Sequence, residues 1–195
     1  MNQNTPDTLN LPIAKKIKSS SGKSSVTDCG PQQCGDFNIR IDRDGIWYYQ
    51  NSPINRLGLV KLFSSVLSQD ATGNYWMTTP VERGTIEVED VPFLAVELSI
   101  ENPGPRQVLS IRTNLHEIVT LDEDHPLTII TNPDTEEPTP YITVRDNLRA
   151  RLTRSVYYEV VELGVEEMIE GENLFGVWST GKFFPMGKLT EDDGE

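Results

Sequence analysis

Two arginines at matching places offer the clearest candidate chemistry in this 195-residue sequence. Arg56 and Arg154 each follow a polar residue suited to cap a helix, at the start of a stretch with helical apolar spacing. Because the helix macrodipole is positive at its N-terminus, an arginine there opposes helix stability. The pattern therefore predicts an anion contact, in which backbone amides and a guanidinium bind phosphate or carboxylate. The alternative for each arginine is an ion pair with a carboxylate of the neighbouring hairpin.

Five further side chains could complete such a site. Trp47 and Tyr141 could stack on a flat ligand, although aromatic residues in alternating strands usually pack in the core. Arg112 and Arg145 could add contacts to an anion, with a solvated loop as the alternative for Arg112. His125 follows an acidic run, where the role of a base or a metal ligand competes with a place in an exposed turn.

The sequence lacks the common catalytic motifs. It contains no phosphate-binding loop, no dinucleotide-binding glycine pattern and no nucleophile elbow. Cys29 and Cys34 could form half of a zinc site, but the two histidines, at positions 116 and 125, are too far apart for the usual ligand spacing. We therefore assign no catalytic residue and no metal, leave the cofactor open, and expect a protein that is not an enzyme. An enzyme with an unrecognised site is the alternative.

Charge and hydropathy limit the partners. The net charge is −13, so the chain repels nucleic-acid phosphates and anionic lipid headgroups. The sequence has no apolar run long enough to span a membrane, and residues 1–10 lack the regions of a signal peptide. We therefore expect a cytoplasmic protein with neither a membrane nor a large nucleic acid as its partner. A small anion and a protein are the partners left open.

Composition divides the chain into four parts. Residues 1–33 include a run rich in serine and glycine, which predicts a flexible N-terminal arm. Residues 189–195 form an acidic tail. Between them we predict an N-terminal α+β half over residues 34–133 and a C-terminal α+β half over residues 134–188.

The two predicted halves share an order of elements, which is a strand hairpin, one helix and further antiparallel strands. An Asp-Gly pair at 44–45 predicts a type I′ hairpin turn in the first half. Arg56 and Arg154 are 98 positions apart, and Gly73 and Gly171 have the same separation. A chance likeness between two amphipathic helices is the alternative. Duplicated halves would pack together, and ligand pockets favour such interfaces.

Several short segments resemble an uncharacterised bacterial family, domain of unknown function 1285. Each segment is weak alone, but their order is maintained from about residue 34 to residue 187. The segments are CGD (34–36), DGIWYY (44–49), PINR (53–56), LVKLFS (59–64), TPVE (79–82), DVPF (90–93), RTN (112–114), DHPL (124–127), PYITVR (140–145), GVWS (176–179) and FFP (183–185).

This resemblance implies a duplicated α+β fold whose second half is similar to a pleckstrin-homology barrel. It also implies a small, nucleotide-like ligand between the halves, a role in signal transduction and no enzymatic activity. We therefore predict a non-enzymatic ligand-binding or regulatory protein whose ligand is a small anion. The ligand would contact the arginines and aromatic residues named above, namely Arg56, Arg154, Arg112, Arg145, Trp47 and Tyr141. A protein–protein interaction module without a small ligand is the alternative.

Overall fold

The protein is described here by a computed structural model that covers residues 31–133 and 135–189. Most of the predicted arm and tail, together with Cys29, lies outside these ranges, and the side chain of Cys34 is not described. The strands are β1 (Gln32–Ile41), β2 (Trp47–Tyr49), β3 (Ser52–Pro53), β4 (Leu67–Gln69), β5 (Tyr75–Thr78), β6 (Glu82–Val88), β7 (Phe93–Glu101), β8 (Val108–Thr113), β9 (Ile118–Thr120), β10 (Leu127–Thr131), β11 (Pro138–Arg145), β12 (Leu148–Leu152), β13 (Val165–Ile169), β14 (Glu172–Ser179) and β15 (Lys182–Lys188). The helices are α1 (Leu57–Ser65) and α2 (Arg154–Glu162).

These strands form two six-stranded sheets and one three-stranded sheet. Sheet A has the order β3-β2-β1-β6-β5-β4, sheet B the order β10-β11-β12-β7-β8-β9, and sheet C the order β13-β14-β15. Each six-stranded sheet consists of two antiparallel three-stranded meanders. The meanders are joined at the centre of the sheet by one parallel pair, which is β1 with β6 in sheet A and β7 with β12 in sheet B. The prediction of two similar halves, each with strands and one helix, is therefore confirmed. The further strands were predicted as antiparallel, and this is wrong for one pair in each six-stranded sheet, which is parallel. No helix of the described residues is long and apolar enough to cross a membrane.

The sheets divide the chain near residue 91. Sheet A lies within residues 31–91, hereafter the N-terminal half, and sheets B and C lie within 92–189, hereafter the C-terminal half. Sheet B takes strands from both sides of residue 133, so the predicted division at 133/134 passes through this sheet. β1 begins at Gln32, inside the predicted arm, because residues 32 and 33 pair with residues 82 and 83 of β6.

The turn between β1 and β2 differs in type from the one predicted. The N–H of Asp42 donates to the carbonyl of Ile46, which leaves a three-residue loop over 43–45. Within this loop only Gly45 has a positive φ, of 73°, whereas a type I′ turn needs two such residues. A Cβ at Gly45 would lie 2.7 Å from Nδ2 of Asn114, so the turn also needs glycine where it approaches the C-terminal half.

The two helices bury similar apolar stripes. Val60 and Phe63 of α1 and Val156 and Val160 of α2 face the core. α1 ends at Ser65 although the apolar spacing continues to Leu67, because residues 67–69 pair with β5 as strand β4. Helical spacing alone cannot separate the last turn of a helix from the short strand that follows it.

The caps show that Arg56 and Arg154 are not equivalent. Arg56 is itself the N-cap of α1, with extended backbone angles of φ −87° and ψ 98°. The N-cap of α2 is Thr153, which also has extended angles, so Arg154 is the first residue inside its helix. The starts of the two helices are therefore separated by one position less than the two arginines are. The turn glycines Gly73 and Gly171, which were aligned with the same separation as the arginines, both have a positive φ.

Gly164 directly follows the C-cap of α2 and lies against an aromatic ring. The C-cap of α2 is Leu163, and Gly164 is not among the residues with a positive φ. A Cβ at Gly164 would lie 2.0 Å from Cζ of Phe175, so the ring of Phe175 requires glycine here. β13, which follows, was not predicted because its sequence, VEEMI, lacks a clear alternation of apolar and polar residues.

Candidate functional site

A partly buried carboxylate joins the two halves. Asp90 follows β6 of the N-terminal half, and its Oδ1 accepts a hydrogen bond of 2.9 Å from the hydroxyl of Tyr141 in β11. Arg151 Nε lies 3.1 Å from Asp90 Oδ2, as a close ion pair whose N–H is not aligned for a hydrogen bond. Arg151 also donates to the backbone carbonyl of Arg43. We name Asp90, Tyr141 and Arg151 the Asp90 anchor.

The predicted ligand residue Tyr141 is therefore a structural link between the halves. Its side chain is buried, at 8% exposure, and the guanidinium of Arg149 lies 5.2 Å from the centre of its ring. Burial raises the pKa of Tyr141 to about 12, and the hydrogen bond to Asp90 adds to this effect. The phenol is consequently held in its protonated form well above neutral pH.

We expect this phenol to be visible in an alkaline titration. Absorbance of tyrosinate near 295 nm should include a step at about pH 12 that disappears in Tyr141→Phe. Because the folded pKa lies above the ordinary value, this group stabilises the fold fully below pH 10 and loses that effect as the pH rises towards 12. An unchanged titration curve in Tyr141→Phe would contradict the assignment.

Arg145, another predicted ligand residue, also binds protein groups of both halves. Its Nη1 donates to Oε2 of Glu117 at 2.6 Å, and its Nη2 donates to the backbone carbonyl of Ser64 at 2.7 Å. Ser64 lies in the last turn of α1, where the helix dipole is negative, so a guanidinium is well placed there. The guanidinium also lies 5.1 Å from the centre of the Phe93 ring. Two donors of Arg145 and one face of its guanidinium are thus engaged by protein groups without a ligand.

Trp47 follows the core alternative stated for it, whereas Arg112 lies in a strand and not in the loop given as its alternative. Trp47 is 1% exposed and lies in the core of sheet A, so its ring has no free face for a ligand. Its Nε1 has no hydrogen-bond partner among the described residues. Arg112 lies on the surface of β8 and forms an ion pair with Glu97 of the neighbouring strand β7. Neither residue faces a cavity described here.

The structure does not bring Arg56 and Arg154 into one cavity. Both side chains are exposed. Arg154 lines a small cavity of about 300 Å³ with Tyr157, Tyr158 and the end of β11, whereas Arg56 lines none of the described cavities. Within residues 31–133 and 135–189, no hydrogen bond or ion pair holds the Arg56 side chain.

His125 is held by its own loop. Its Nδ1 lies 2.8 Å from Oδ1 of Asp122, and the same oxygen accepts the backbone N–H of His125 at 3.0 Å. Burial opposes ionisation of Asp122, but the hydrogen bonds from His125 outweigh it and leave the pKa of this carboxyl below its ordinary value. That the chain is an enzyme in which His125 takes part in catalysis stays a prediction. An enzymatic turnover that is abolished by His125→Asn would support it. Among the described residues, no group of three or more His, Cys, Asp or Glu side chains could hold a metal ion.

A polar cleft lies between the halves, at the turn between β4 and β5 and the turn between β11 and β12. Its volume is about 410 Å³. We name it the junction cleft. Its lining residues are Gln69, Asp70, Ala71, Gly73, Thr143, Asp146, Asn147 and Arg149.

Arg149 is the cation of the junction cleft. Its guanidinium lies beside the ring of Tyr141, and within the described parts of the chain no carboxylate or carbonyl accepts a hydrogen bond from it. A guanidinium has five N–H donors in a fixed planar arrangement, which suits phosphate and carboxylate groups. These donors face solvent or a ligand, in contrast to those of Arg145 and Arg151.

The carboxylate of Asp70, on the other wall of the cleft, is already hydrogen-bonded to neighbouring protein groups. Its carboxylate accepts hydrogen bonds from Thr72, Asn74 and Trp76. The bonds from the Thr72 hydroxyl and from the indole N–H of Trp76 hold the pKa of Asp70 below its ordinary value. Asp70 therefore shapes the turn between β4 and β5. Asp146, in the opposite turn, has a positive φ of 46° and is the exposed carboxylate of the cleft.

Our sequence analysis missed Arg149 and Asp90. A signal for Arg149 is present in β12, whose sequence LRARL places both of its arginines on one face and its apolar residues on the other. Asp90 has no local signal, since it is one acidic residue in an acidic stretch and its partners lie about fifty positions away or more.

The fold and these contacts define a protein of two sheet-based halves, joined by the Asp90 anchor and separated by a polar cleft. Residues 25–91 match the family model "Domain of unknown function (DUF1285), N-terminal domain". Residues 92–186 match "Protein of unknown function (DUF1285), C-terminal domain". The chain therefore belongs to the DUF1285 family, and the resemblance stated from the sequence is confirmed. The two models meet between residues 91 and 92, where sheet A gives way to sheet B.

Two crystal structures of DUF1285 family proteins are similar to this chain. The protein from Silicibacter pomeroyi DSS-3 is 37% identical, with a TM-score of 0.76, over 94% of this chain and 97% of the other. The protein from Shewanella baltica OS155 is 25% identical, with a TM-score of 0.51, over 64% of this chain and 91% of the other. No curated protein sequence matches the chain.

Proposed function

We propose that this chain is a non-enzymatic ligand-binding protein, and that a small nucleotide-like anion binds in the junction cleft. The observation that carries the proposal is the guanidinium of Arg149, which lines the cleft without a hydrogen-bond acceptor from the described residues. A phosphate or carboxylate would occupy its donors as a bidentate pair. This site replaces the predicted convergence of Arg56 and Arg154, which share no cavity.

The rest of the lining suits a ligand with hydroxyl and amide groups. The carboxylate of Asp146 can accept hydrogen bonds from a sugar diol or a base N–H, while Asn147 can both donate and accept. Carboxylates bind ribose hydroxyls in this way in dinucleotide-binding proteins. The single cation and the exposed carboxylate favour a ligand with one anionic group over a polyphosphate, because Asp146 and the net charge of −13 repel further negative charge.

A regulatory role follows from the position of the cleft. One wall is the turn between β4 and β5 of the N-terminal half, and the other is the turn between β11 and β12 of the C-terminal half. A ligand that contacts both walls would favour one arrangement of the halves and so could serve signal transduction in the cytoplasm of a bacterium. We also propose that the second half resembles a pleckstrin-homology barrel. Sheet B and α2 would be the counterparts of the sheet and the helix of that fold.

A thermal-shift screen of nucleotides and other small phosphates tests the proposal. At about 100 times its dissociation constant, a ligand should add about 2.7 kcal/mol to the free energy of unfolding, which raises the melting temperature by several degrees. We expect Arg149→Gln to weaken binding of the best compound about tenfold or more, because a charge-assisted bidentate contact is lost.

Arg154→Gln is the matched control, since it removes the same charge from an exposed surface outside the cleft. It should retain the shift. Loss of the shift in Arg154→Gln, with retention in Arg149→Gln, would place the anion site in the small cavity beside α2. Retention of the shift by both variants would exclude both cavities as the anion site. No shift with any phosphate would leave the junction cleft without an assigned ligand and would contradict the proposal.

One observation favours protein interaction as a second candidate. Ile118 lies in the edge strand β9 of sheet B and is 73% exposed. An apolar residue on an unpaired strand edge is a common contact point for another chain. A protein that is retained by the wild-type chain and lost with Ile118→Lys would support this function. Equal retention by both chains would oppose it.

A further inference from the structure

A second, larger cavity lies entirely within the C-terminal half. Its volume is about 610 Å³, and it is distinct from the junction cleft in every lining residue. The loop between β7 and β8, the end of α2, β13 and β14 surround it. Its apolar walls come from Pro105, Leu163 and Val165. We name it the Trp178 cavity, after the aromatic residue that lines it.

Trp178 is fixed in position and keeps part of its ring accessible. Its side chain is half-buried, and the ring of Phe183 packs against it with centroids 5.5 Å apart and an interplanar angle of 57°. Its indole Nε1 donates a hydrogen bond of 3.0 Å to Oε1 of Glu167, which also lines the cavity. The structure thus holds a carboxylate at the edge of an aromatic ring, inside an otherwise apolar cavity.

The lining contains no competing cation. None of its eight residues, which are Gly104, Pro105, Gln107, Leu163, Val165, Glu167, Trp178 and Gly181, is a lysine or an arginine. Arg106 faces the adjoining cavity, and Lys182 pairs with Glu123. The side-chain amide of Gln107 donates to the carbonyl of Trp178 and is therefore already used.

The local sequence makes this region strongly negative. Residues 155–181 contain six glutamates and no lysine or arginine. Low-dielectric walls with charges of one sign concentrate the field and raise the local concentration of a ligand of opposite charge. An accessible tryptophan ring and a carboxylate, surrounded by apolar walls, are the groups that recognise ammonium ions.

We propose that the Trp178 cavity binds an organic cation, namely an amine or quaternary ammonium with an apolar body. The cationic head lies over the accessible face of the Trp178 ring, next to the carboxylate of Glu167. The apolar body contacts Pro105, Leu163 and Val165. This site is opposite in charge preference to the junction cleft, so a single chain presents one place for an anion and one for a cation.

Calorimetric titration of the full chain with three six-carbon probes tests this proposal. Hexyltrimethylammonium carries a positive charge, 1-hexanol is neutral and hexanoate is negative. We expect saturable binding of the cation alone, weakened about tenfold in Glu167→Gln, because the amide still accepts from Trp178 but lacks the charge. Trp178→Leu, which removes the ring and keeps an apolar wall, should weaken binding by a similar factor.

Glu166→Gln provides the matched control. Glu166 precedes Glu167 in β13, is exposed and does not line the cavity, so this variant removes the same charge from the opposite face of the strand. It should change the affinity less than about twofold at physiological salt. Equal losses of affinity in Glu166→Gln and Glu167→Gln would mean that the negative field of the whole region attracts the cation. That result would overturn the proposed site. Equal binding of 1-hexanol or hexanoate, or no binding of the cation at millimolar concentration, would also overturn it.

Discussion

Asp90→Ala should lower the free energy of unfolding by about 3 kcal/mol, because it leaves the guanidinium of Arg151 and the hydroxyl of Tyr141 without their shared partner. Asp90 is only 14% exposed and Arg151 27%, so water replaces the lost contacts poorly. Equilibrium unfolding in urea, followed by tryptophan fluorescence, measures the loss. Glu87→Ala is the control, since Glu87 is an exposed carboxylate of the same strand region, and should change stability by less than about 0.5 kcal/mol.

A double-mutant cycle separates the Asp90 anchor from a simple loss of packing. Arg151→Met removes the charge that Asp90→Ala leaves unpaired, so the double variant should be more stable than the sum of the single changes predicts. The coupling should be about 1–2 kcal/mol, because the pair is close and largely shielded from solvent. Additive effects would show that the two side chains do not act as a pair.

Gly176→Ala should destabilise the protein by about 3 kcal/mol, because the position has no room for a methyl group. An added Cβ would lie 2.3 Å from the backbone carbonyl oxygen of Phe184 and 2.9 Å from Cα of Pro185. Both neighbours are backbone atoms of β15, which pairs with β14 at this point through an irregular register. Relief would therefore require separation of the two strands. Urea unfolding and the melting temperature both report the change.

Gly187→Ala is the matched control in the same strand pair. Gly187 pairs with Phe175, one position from Gly176, and a Cβ there would meet no atom within 4 Å. Its φ is not positive, so alanine fits the backbone and should be neutral or slightly stabilising, within about 0.5 kcal/mol. A similar loss in both variants would mean that sheet C tolerates no added side chain at either position, contrary to the close approach described for Gly176 alone.

The two effects concern different parts of the molecule. Asp90 links the N-terminal half to the C-terminal half, whereas Gly176 lies within sheet C, which also forms part of the Trp178 cavity. Loss of the Asp90 anchor should therefore disturb ligand binding in the junction cleft. Strain at Gly176 should affect the Trp178 cavity first.

Local structure was largely determined by the sequence. Each half has the strand hairpin and the single helix that local spacing in the sequence predicts. Alternation and helical spacing are properties of neighbouring residues, so they can be read without knowledge of the partner strands. The family was also determined by the sequence, through short segments whose order runs along the whole folded region.

Candidate side chains could be named from the sequence, but their roles could not. Trp47, Tyr141 and Arg145 have the types expected of a ligand site, yet the fold uses the first in its core and the other two to join the halves. Both uses bury or satisfy the same groups that a ligand would need. Residue type alone cannot decide between them, because a hydrogen bond to protein and one to ligand require the same donors.

Only the tertiary structure decided the long-range arrangement. The parallel pairs β1–β6 and β7–β12 join strands about fifty residues apart, and no local pattern specifies which distant strand completes a sheet. The junction cleft and the Trp178 cavity arise from that arrangement, since each is lined by turns and strands that are distant in the chain. The sequence by itself therefore determined the elements, the acidic charge and the family. Packing between distant segments decided which cations and aromatic rings are left accessible to a ligand.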